Sequence, residues 1–265
     1  MTIHVLIQCS KKKSLDPEKN LIWSESTNLE SWRYEWENAP NRILVEKLYS
    51  GRSIKKEFDF LKSNEEVEGY VISAGAGLVR LNARIPSYES TFFLNSGPKY
   101  SKWYKLPHGG LLNLDIIGND TIVSFAAPNY HRALLADPEF HRLAPRFIVA
   151  NTSPLSTNDS VTSIAVHPRT VEFLGVAYID LNSELLNIYL TSGQKGLEEI
   201  YEKCTNLPPP DERRTVSDNE LFSIVESLES ISSIIESVEY IRHTLGISAS
   251  YERIRETILS VRNKI

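Results

Sequence analysis

The chain has 265 residues, of which 41% are hydrophobic and 24% charged, a composition typical of a globular protein and not of a disordered or fibrous one. Its net charge of −5 argues against a protein that coats nucleic acid indiscriminately, although it leaves room for a local basic cleft. No apolar run approaches the roughly 18–20 residues of a membrane span, and the first residues lack the charge order of a signal peptide. We therefore expect a cytoplasmic protein without a membrane partner.

Four short runs rich in β-branched residues predict strands, and each is followed directly by polar, Gly or Pro residues: Ile3–Gln8, Gly69–Ile72, Thr121–Ser124 and Arg146–Val149. Helical spacing of apolar residues lies between the first two strands and again after the third. This order predicts a mostly parallel α/β sheet with helices on both faces, over residues 1–200. The loops 8–13, 73–78, 126–131 and 151–156 should then share one edge, where such sheets bind ligands.

The C-terminal part of the sequence predicts a separate helical hairpin. Three consecutive prolines lie in a linker over residues 201–216, and residues 217–265 follow as the hairpin. Ser217 and Glu220 form a capping box, and a Leu/Ile stripe predicts one helix of nearly seven turns that ends at Gly246. The stripe favours packing onto the main domain, with a homodimer through these helices as the alternative.

The loop after the first strand combines small polar residues with three lysines, at Gln8, Cys9, Ser10 and Lys11–Lys13. Backbone amides and ammonium groups that converge after a first parallel strand suit an anionic group. The alternative is a solvated turn. Cys9 and Cys204 are far apart in sequence and predict neither a disulfide framework nor a zinc site. We expect no metal and no cofactor.

The loop after the second strand has Ser73, Gly75 and Gly77, with Tyr88 and Glu89 soon after. Two glycines two residues apart allow a backbone to approach a flat ligand or a phosphate closely. The spacing does not match the dinucleotide-binding or P-loop fingerprints.

Together, four motifs resemble a known family: Cys-Ser-Lys-Lys-Lys at Cys9–Lys13, Leu-Tyr-Ser-Gly-Arg-Ser at Leu48–Ser53, Ser-Ala-Gly-x-Gly-Leu at Ser73–Leu78, and Ile-Pro-x-Tyr-Glu-x-Thr-Phe at Ile85–Phe92. They are similar to bacterial YaaA-related and phage-defence glycosylase-like proteins of the uracil-DNA-glycosylase-like superfamily. The resemblance covers about residues 1–190. It implies a parallel-sheet three-layer sandwich and a role in nucleic-acid modification, DNA damage or phage defence.

A further motif, Asn-Thr-Ser-Pro-Leu-Ser at Asn151–Ser156, is similar to the His-Pro-Ser-Pro-Leu-Ser loop of uracil-DNA glycosylases. In that family the loop pinches the DNA backbone, and its leucine fills the space of a flipped nucleotide. By this resemblance Ser153, Pro154, Leu155 and Ser156 contact DNA. Gln8 falls where the family's water-activating loop has glutamine, whereas Cys9 replaces the catalytic aspartate and Asn151 the histidine.

Breaking an N-glycosidic bond requires a carboxylate near the sugar, donors aimed at the base, and a pocket for a base that has left the stack. We expect Glu89, Gln8 and Asn151 to be catalytic, with Asp59 and Asp115 as other candidate carboxylates. The expected DNA- or base-binding residues are Cys9, Ser10, Lys11, Lys12, Tyr49, Arg52, Ser73, Gly75, Gly77, Tyr88, Asn129, Tyr130, Ser153, Pro154, Leu155 and Ser156. Tyr49 and Tyr88 would stack on a base, and Lys11–Lys13, Arg52 and Arg84 would form a positive rim for phosphates.

Three hypotheses follow. The first is a DNA glycosylase-like enzyme that flips and excises a modified base, in a defence setting. The second is a nucleoside or RNA-base transferase of a base-modification system. The third is a non-catalytic DNA-binding protein that keeps the fold without the aspartate that Cys9 replaces.

Overall fold

The computed structural model of the protein describes residues 2–92, 97–151, 160–206, 214–228, 234–249 and 251–262. The chain divides into two compact units, Met1–Asn206 and Leu207–Ile265. No helix in these described ranges is both long enough and apolar enough to cross a bilayer.

The first unit is organised around a six-stranded sheet. In chain order the strands of the unit are β1 (Ile3–Gln8), β2 (Ile43–Leu44), β3 (Val67–Ser73), β4 (Gly77–Arg80), β5 (Arg84–Ile85), β6 (Thr121–Ser124), β7 (Phe147–Asn151) and β8 (Thr162–Ala165). The sheet order is β4-β3-β1-β6-β7-β8, parallel except that β4 runs antiparallel to β3, and β2 pairs with β5 separately. The central β1 is buried along His4–Ile7, as expected for a strand covered on both faces. The prediction of a mostly parallel sheet is confirmed.

Helices connect these strands: α1 (Leu29–Asn38), α2 (Val45–Leu48), α3 (Arg52–Lys62), α4 (Pro128–Leu135), α5 (Phe140–Leu143), α6 (Thr170–Leu174) and α7 (Leu181–Thr205). The β1–α3–β3 and β6–α4–β7 connections run toward opposite edges of the sheet. Because parallel crossovers are right-handed, the two connections cover opposite faces. This arrangement is compatible with a three-layer α/β fold.

The linker begins later than the sequence indicates. Helix α7 continues to Thr205, so residues 201–205 are helical, and residues 207–213 lie outside the described ranges. Gly193 interrupts α7 with a φ of 63° and a ψ of −161°, a conformation that favours glycine.

The second unit contains α8 (Asp218–Glu226), α9 (Ile234–Glu239), one π-helical turn (Tyr240–Thr244) and α10 (Tyr251–Arg262). The predicted single helix of seven turns is wrong, because α8 ends at Glu226. The Ser227 hydroxyl donates a hydrogen bond of 2.7 Å to the carbonyl of Ile224, a local bond that competes with helix continuation. Apolar residues of the predicted stripe, Leu221 and Ile241 among them, are buried within this unit. The homodimer stays a prediction.

Candidate functional site

The chain leaves neighbouring strands β1 and β6 in opposite directions, toward β3 and β7. Such a switch point opens a crevice beyond the carboxyl ends of the two strands, where α/β proteins bind ligands. Loops 8–13, 73–78 and 126–131 follow the parallel strands β1, β3 and β6 and therefore lie at this edge, as predicted. Asn151 ends β7 at the same edge. The predicted contacts Ser153, Pro154, Leu155 and Ser156 lie outside the described residues.

Gln8 bridges the two strands at the switch point. Its side-chain Oε1 accepts a hydrogen bond of 2.8 Å from the backbone amide of Ala127, directly before α4. The amide donor identifies the side-chain atom as oxygen, so Nε2 points away from Ala127 and keeps two N–H groups. Gln8 thus offers fixed donors to whatever occupies the crevice.

A pocket of about 590 Å³ opens beside Gln8, within the size range of small-ligand sites. Its lining consists of Gln8, Ala126, Ala127, Pro128, Ala150, Val166, Tyr178, Ile179, Leu181, Asn182 and Leu185. The walls are mainly apolar, and the polar side chains of that lining are the amides of Gln8 and Asn182 and the hydroxyl of Tyr178, each of which can both donate and accept a hydrogen bond. Tyr178 is 75% exposed and presents an aromatic ring to the pocket and to solvent. These features suit a flat, polar-edged ligand.

A second cluster, of buried hydroxyl groups, lies where β3 ends. The Tyr49 and Tyr88 hydroxyls are 2.6 Å apart, and Tyr88 also makes a short hydrogen bond with Ser73. The Ser73 Oγ accepts the amides of Gly75 and Ala76, which occupy its lone pairs, so its own hydrogen is directed to Tyr88. Tyr88 in turn donates to Tyr49. The three residues therefore form an ordered hydroxyl chain.

The stacking role predicted for Tyr49 and Tyr88 does not fit this geometry. Their exposed fractions are 0% and 1%, so neither ring has a free face for a base. Burial raises the pKa of both phenols, which keeps them protonated. What the two residues offer the site is their hydroxyl chain.

Cys9 and Lys13 lie against this cluster. The Cys9 Sγ is 3.5 Å from the Tyr130 hydroxyl, and the Cys9 side chain is buried. The Lys13 Nζ lies 4.5 Å from the Tyr88 ring centroid and 5.9 Å from that of Tyr49. Burial lowers the pKa of Lys13, and the electrostatic influence of the nearby Cys9 and Glu89 side chains partly opposes that shift. Lys13 is thus distinct from Lys11 and Lys12, which are exposed.

The glycines of the second loop allow close packing within the protein. A Cβ on Gly75 would lie 2.5 Å from two ring atoms of Tyr88, and Gly77 has a φ of +97° with the Gly109 carbonyl against it. Tyr88 and Gly109 therefore occupy the space beside these two glycines where we expected a ligand to approach the backbone.

Arg52 is not a free phosphate ligand. Its guanidinium pairs with the buried carboxylate of Asp180 at 2.5 Å, and Lys56 reaches the same oxygen at 3.6 Å. Asp180, which the sequence analysis missed, lies between the pocket residues Ile179 and Leu181. Arg84 donates to the Arg42 carbonyl. Arg52 therefore contributes less positive charge to the predicted rim than we expected.

The remaining predicted residues differ in whether their side chains already have a partner. The Ser10 hydroxyl accepts the Lys12 amide at 3.2 Å, and the Asn129 Oδ1 accepts the Tyr100 hydroxyl at 3.3 Å. Glu89 is exposed, and its backbone pairs with Leu21 and Trp23. Its catalytic role stays a prediction. Of the other two carboxylates, Asp115 pairs with Arg80 at 2.5 Å, and Asp59 is exposed on α3.

Comparisons with protein-family models, curated proteins and solved structures give no significant match for this chain. The site must therefore be judged on its own geometry.

Proposed function

We propose that the first unit has a uracil-DNA-glycosylase-like fold and that the protein excises a modified base from DNA by hydrolysis of the N-glycosidic bond. The observation that carries the proposal is the Gln8–Ala127 bridge, which fixes a donor amide in the lining of a pocket of about 590 Å³ at the β1/β6 switch point. A base that leaves the stack needs such a pocket and such donors. A defence role against phage DNA follows only from the family resemblance.

The required chemistry is a substitution at C1′ of the sugar. Water attacks C1′, the bond from C1′ to the base nitrogen breaks with its electron pair on the base, and the water proton passes to a carboxylate. Glu89 is the candidate base, because its carboxylate is exposed and close enough to Lys13, in the loop after β1, to affect the pKa of that lysine. Gln8 Nε2 would donate to the departing base and stabilise its negative charge.

The test uses DNA duplexes that contain unmodified, methylated, hydroxymethylated or glucosylated bases. After incubation, alkali converts abasic sites to strand breaks, which are resolved by gel electrophoresis. We expect breaks with at least one modified duplex, and a loss of about 100-fold or more for Glu89→Gln, the range of general acid–base catalysis. Glu37→Gln, an exposed carboxylate on α1, is the matched control.

Absence of breaks with every duplex would overturn the proposal. Turnover of free nucleosides alone would indicate the transferase function instead. A non-catalytic DNA-binding function is favoured by one observation: β1 is followed by the buried thiol of Cys9 where the glycosylase motif has its aspartate. DNA binding without base release would support that function.

A further inference from the structure

Three lysines form a column beside the crevice. Lys99 precedes the 3₁₀ helix Tyr100–Lys105, and Lys102 and Lys105 lie within it. Since a 3₁₀ helix has three residues per turn, side chains three apart project from the same side. All three lysines are exposed. One lysine therefore lies at each turn of the helix, on the same side.

These cations form no ion pair with the part of the chain that the structure describes. Among the described residues, none lies within 4.0 Å of Lys99, Lys102, Lys105 or the exposed Arg132, whereas Arg52 and Arg80 are paired with Asp180 and Asp115. In a chain with 34 acidic and 29 basic residues, unpaired cations on one surface create a local positive potential.

Two adjoining pockets run along the lysine column. One, of about 490 Å³, is lined by Trp23, Ser24, Glu25, Thr27, Asn28, Leu29, Gly97, Pro98, Lys99 and Lys102. The other, of about 680 Å³, is lined by Thr91, Phe92, Gly97, Pro98, Lys99, Tyr100, Ser101, Arg132, Leu135 and Ala136. Gly97, Pro98 and Lys99 belong to both linings, so the two pockets adjoin along this segment. We call the two pockets together the cationic groove and define it by Trp23, Phe92, Lys99, Tyr100, Lys102 and Arg132.

The cationic groove ends at the crevice. The Tyr100 hydroxyl donates to Asn129 at 3.3 Å, and the Phe92 ring centroid lies 5.3 Å from that of Tyr130. Asn129 and Tyr130 lie in the first turn of α4, which begins at Pro128 directly after Ala127, the partner of Gln8. A ligand in the groove would thus continue toward the proposed base pocket.

We propose that the cationic groove binds a single strand of DNA and guides it to the crevice, an inference that rests on the proposed function. Lys99, Lys102 and Arg132 pair with successive phosphates, while Trp23 and Phe92 supply apolar surface for bases. Alternation of cations with aromatic rings is the pattern of single-strand binding without sequence preference. Glu25 lies in the same lining and opposes this binding.

The test is fluorescence anisotropy of the full chain with a labelled oligothymidine, at salt concentrations from ~50 to ~300 mM. The triple variant Lys99→Glu, Lys102→Glu, Arg132→Glu is compared with Lys19→Glu, Lys55→Glu, Lys203→Glu, which changes net charge equally at exposed sites outside the groove. We expect the groove variant to lose affinity at least tenfold and its salt slope to fall by about 2, since each phosphate contact contributes about 0.7. Glu25→Gln should bind more tightly.

The groove proposal fails if the two triple variants bind alike, or if the wild-type affinity does not depend on salt. Oligouridine is a parallel arm, and much tighter binding of it would replace the DNA strand by RNA. An assay of base release with the same variants distinguishes failure of the groove proposal from failure of the proposed function. Groove-dependent binding without any base release overturns the glycosylase activity alone. Base release that the groove variant leaves unchanged at low protein concentration overturns the groove alone.

Discussion

The side-chain carbonyl of Gln8 and the backbone amide of Ala127 are joined by a hydrogen bond of 2.8 Å, 119 residues apart in sequence. This bond connects the end of β1 to the start of α4 across the switch point of the sheet. It also satisfies an amide at a helix N-terminus, where backbone donors have no partner within the helix. One glutamine therefore contributes to stability through its oxygen and is available for function through its nitrogen.

Substitutions at Gln8 should separate these two roles. Gln8→Met leaves the Ala127 amide without its acceptor, and we expect a loss of about 1–2 kcal/mol in the free energy of unfolding. Gln8→Glu keeps an acceptor, which the positive helix terminus favours, so stability should stay close to wild type. Both variants lack the Nε2 donor and should lose base release. Urea unfolding and the alkali assay measure the two effects, and a Gln8→Glu variant with full activity would contradict the assigned donor role.

The hydroxyl chain of Ser73, Tyr88 and Tyr49 should respond unequally to removal of its members. Tyr88→Phe leaves both neighbours without their partner, whereas Tyr49→Phe leaves only the Tyr88 hydrogen without an acceptor. We expect Tyr88→Phe to be the more destabilising, with about 1–3 kcal/mol per unsatisfied buried group.

A double-mutant cycle checks this order of hydrogen bonds. The combined Tyr49→Phe, Tyr88→Phe variant should cost less than the sum of the single changes, because fewer buried hydroxyls stay unpaired. Tyr34→Phe, at a position 65% exposed, is the control and should be neutral. Additive costs, or a larger cost for Tyr49→Phe, would show that the protons are not ordered from Ser73 to Tyr49.

The sequence predicted the central part of the fold well. β1 and β6 have the predicted bounds, because their apolar, β-branched residues are flanked by abrupt polar or small residues. β4 was not predicted, since Gly77–Arg80 looks like part of a glycine loop and becomes a strand only by pairing with β3. β8 was missed as well. It is a short edge strand with a single buried residue, Ile164, and shows no apolar run.

The position of the site was predictable, but the state of its charges was not. Strand order places Gln8 and Asn129 at one edge, whatever the details of packing. Whether a cation forms an ion pair depends on partners distant in sequence: Arg52 pairs with Asp180, while no carboxylate of the described residues lies within 4.0 Å of Lys99 or Lys102. Spacing along the chain has no information about such long-range pairs. The three-residue repeat of the lysines was a signal for their shared side only once the 3₁₀ helix was known.

Glu57 should make stability depend on pH. It is buried on α3 with one hydrogen bond, from Ser53, and burial raises its pKa from 4.5 to about 7. Between these values the unfolded chain has lost the proton that the folded chain keeps, so stability falls as pH rises and levels off above about 7. The total is about 3 kcal/mol. Glu57→Gln should remove this decline in urea unfolding from pH 5 to 8, and Asp59→Asn, exposed on the same helix, should not.

Lys13 should react with amine reagents at lower pH than Lys11 or Lys12. Burial disfavours its ammonium form and lowers its pKa, so a larger fraction is the neutral, nucleophilic amine near neutral pH. Labelling with acetic anhydride from pH 6 to 10, followed by mass spectrometry of the peptides, gives a titration curve for each lysine. Dividing the labelling rate of each lysine by its limiting rate at high pH removes differences in how accessible the lysines are to the reagent. We expect the midpoint for Lys13 to lie below those of its two exposed neighbours.

The Glu89 carboxylate raises the pKa of Lys13 and so works against burial. Glu89→Gln removes that negative charge, and the Lys13 midpoint should therefore move to still lower pH, while the midpoints of Lys11 and Lys12 move less. Glu37→Gln, on α1, should leave all three unchanged. A Lys13 midpoint equal to that of Lys12 would show that its ammonium is solvated, and an upward shift in Glu89→Gln would show that the two groups do not interact. If both shifts have the expected direction, the carboxylate proposed as the catalytic base acts electrostatically on Lys13.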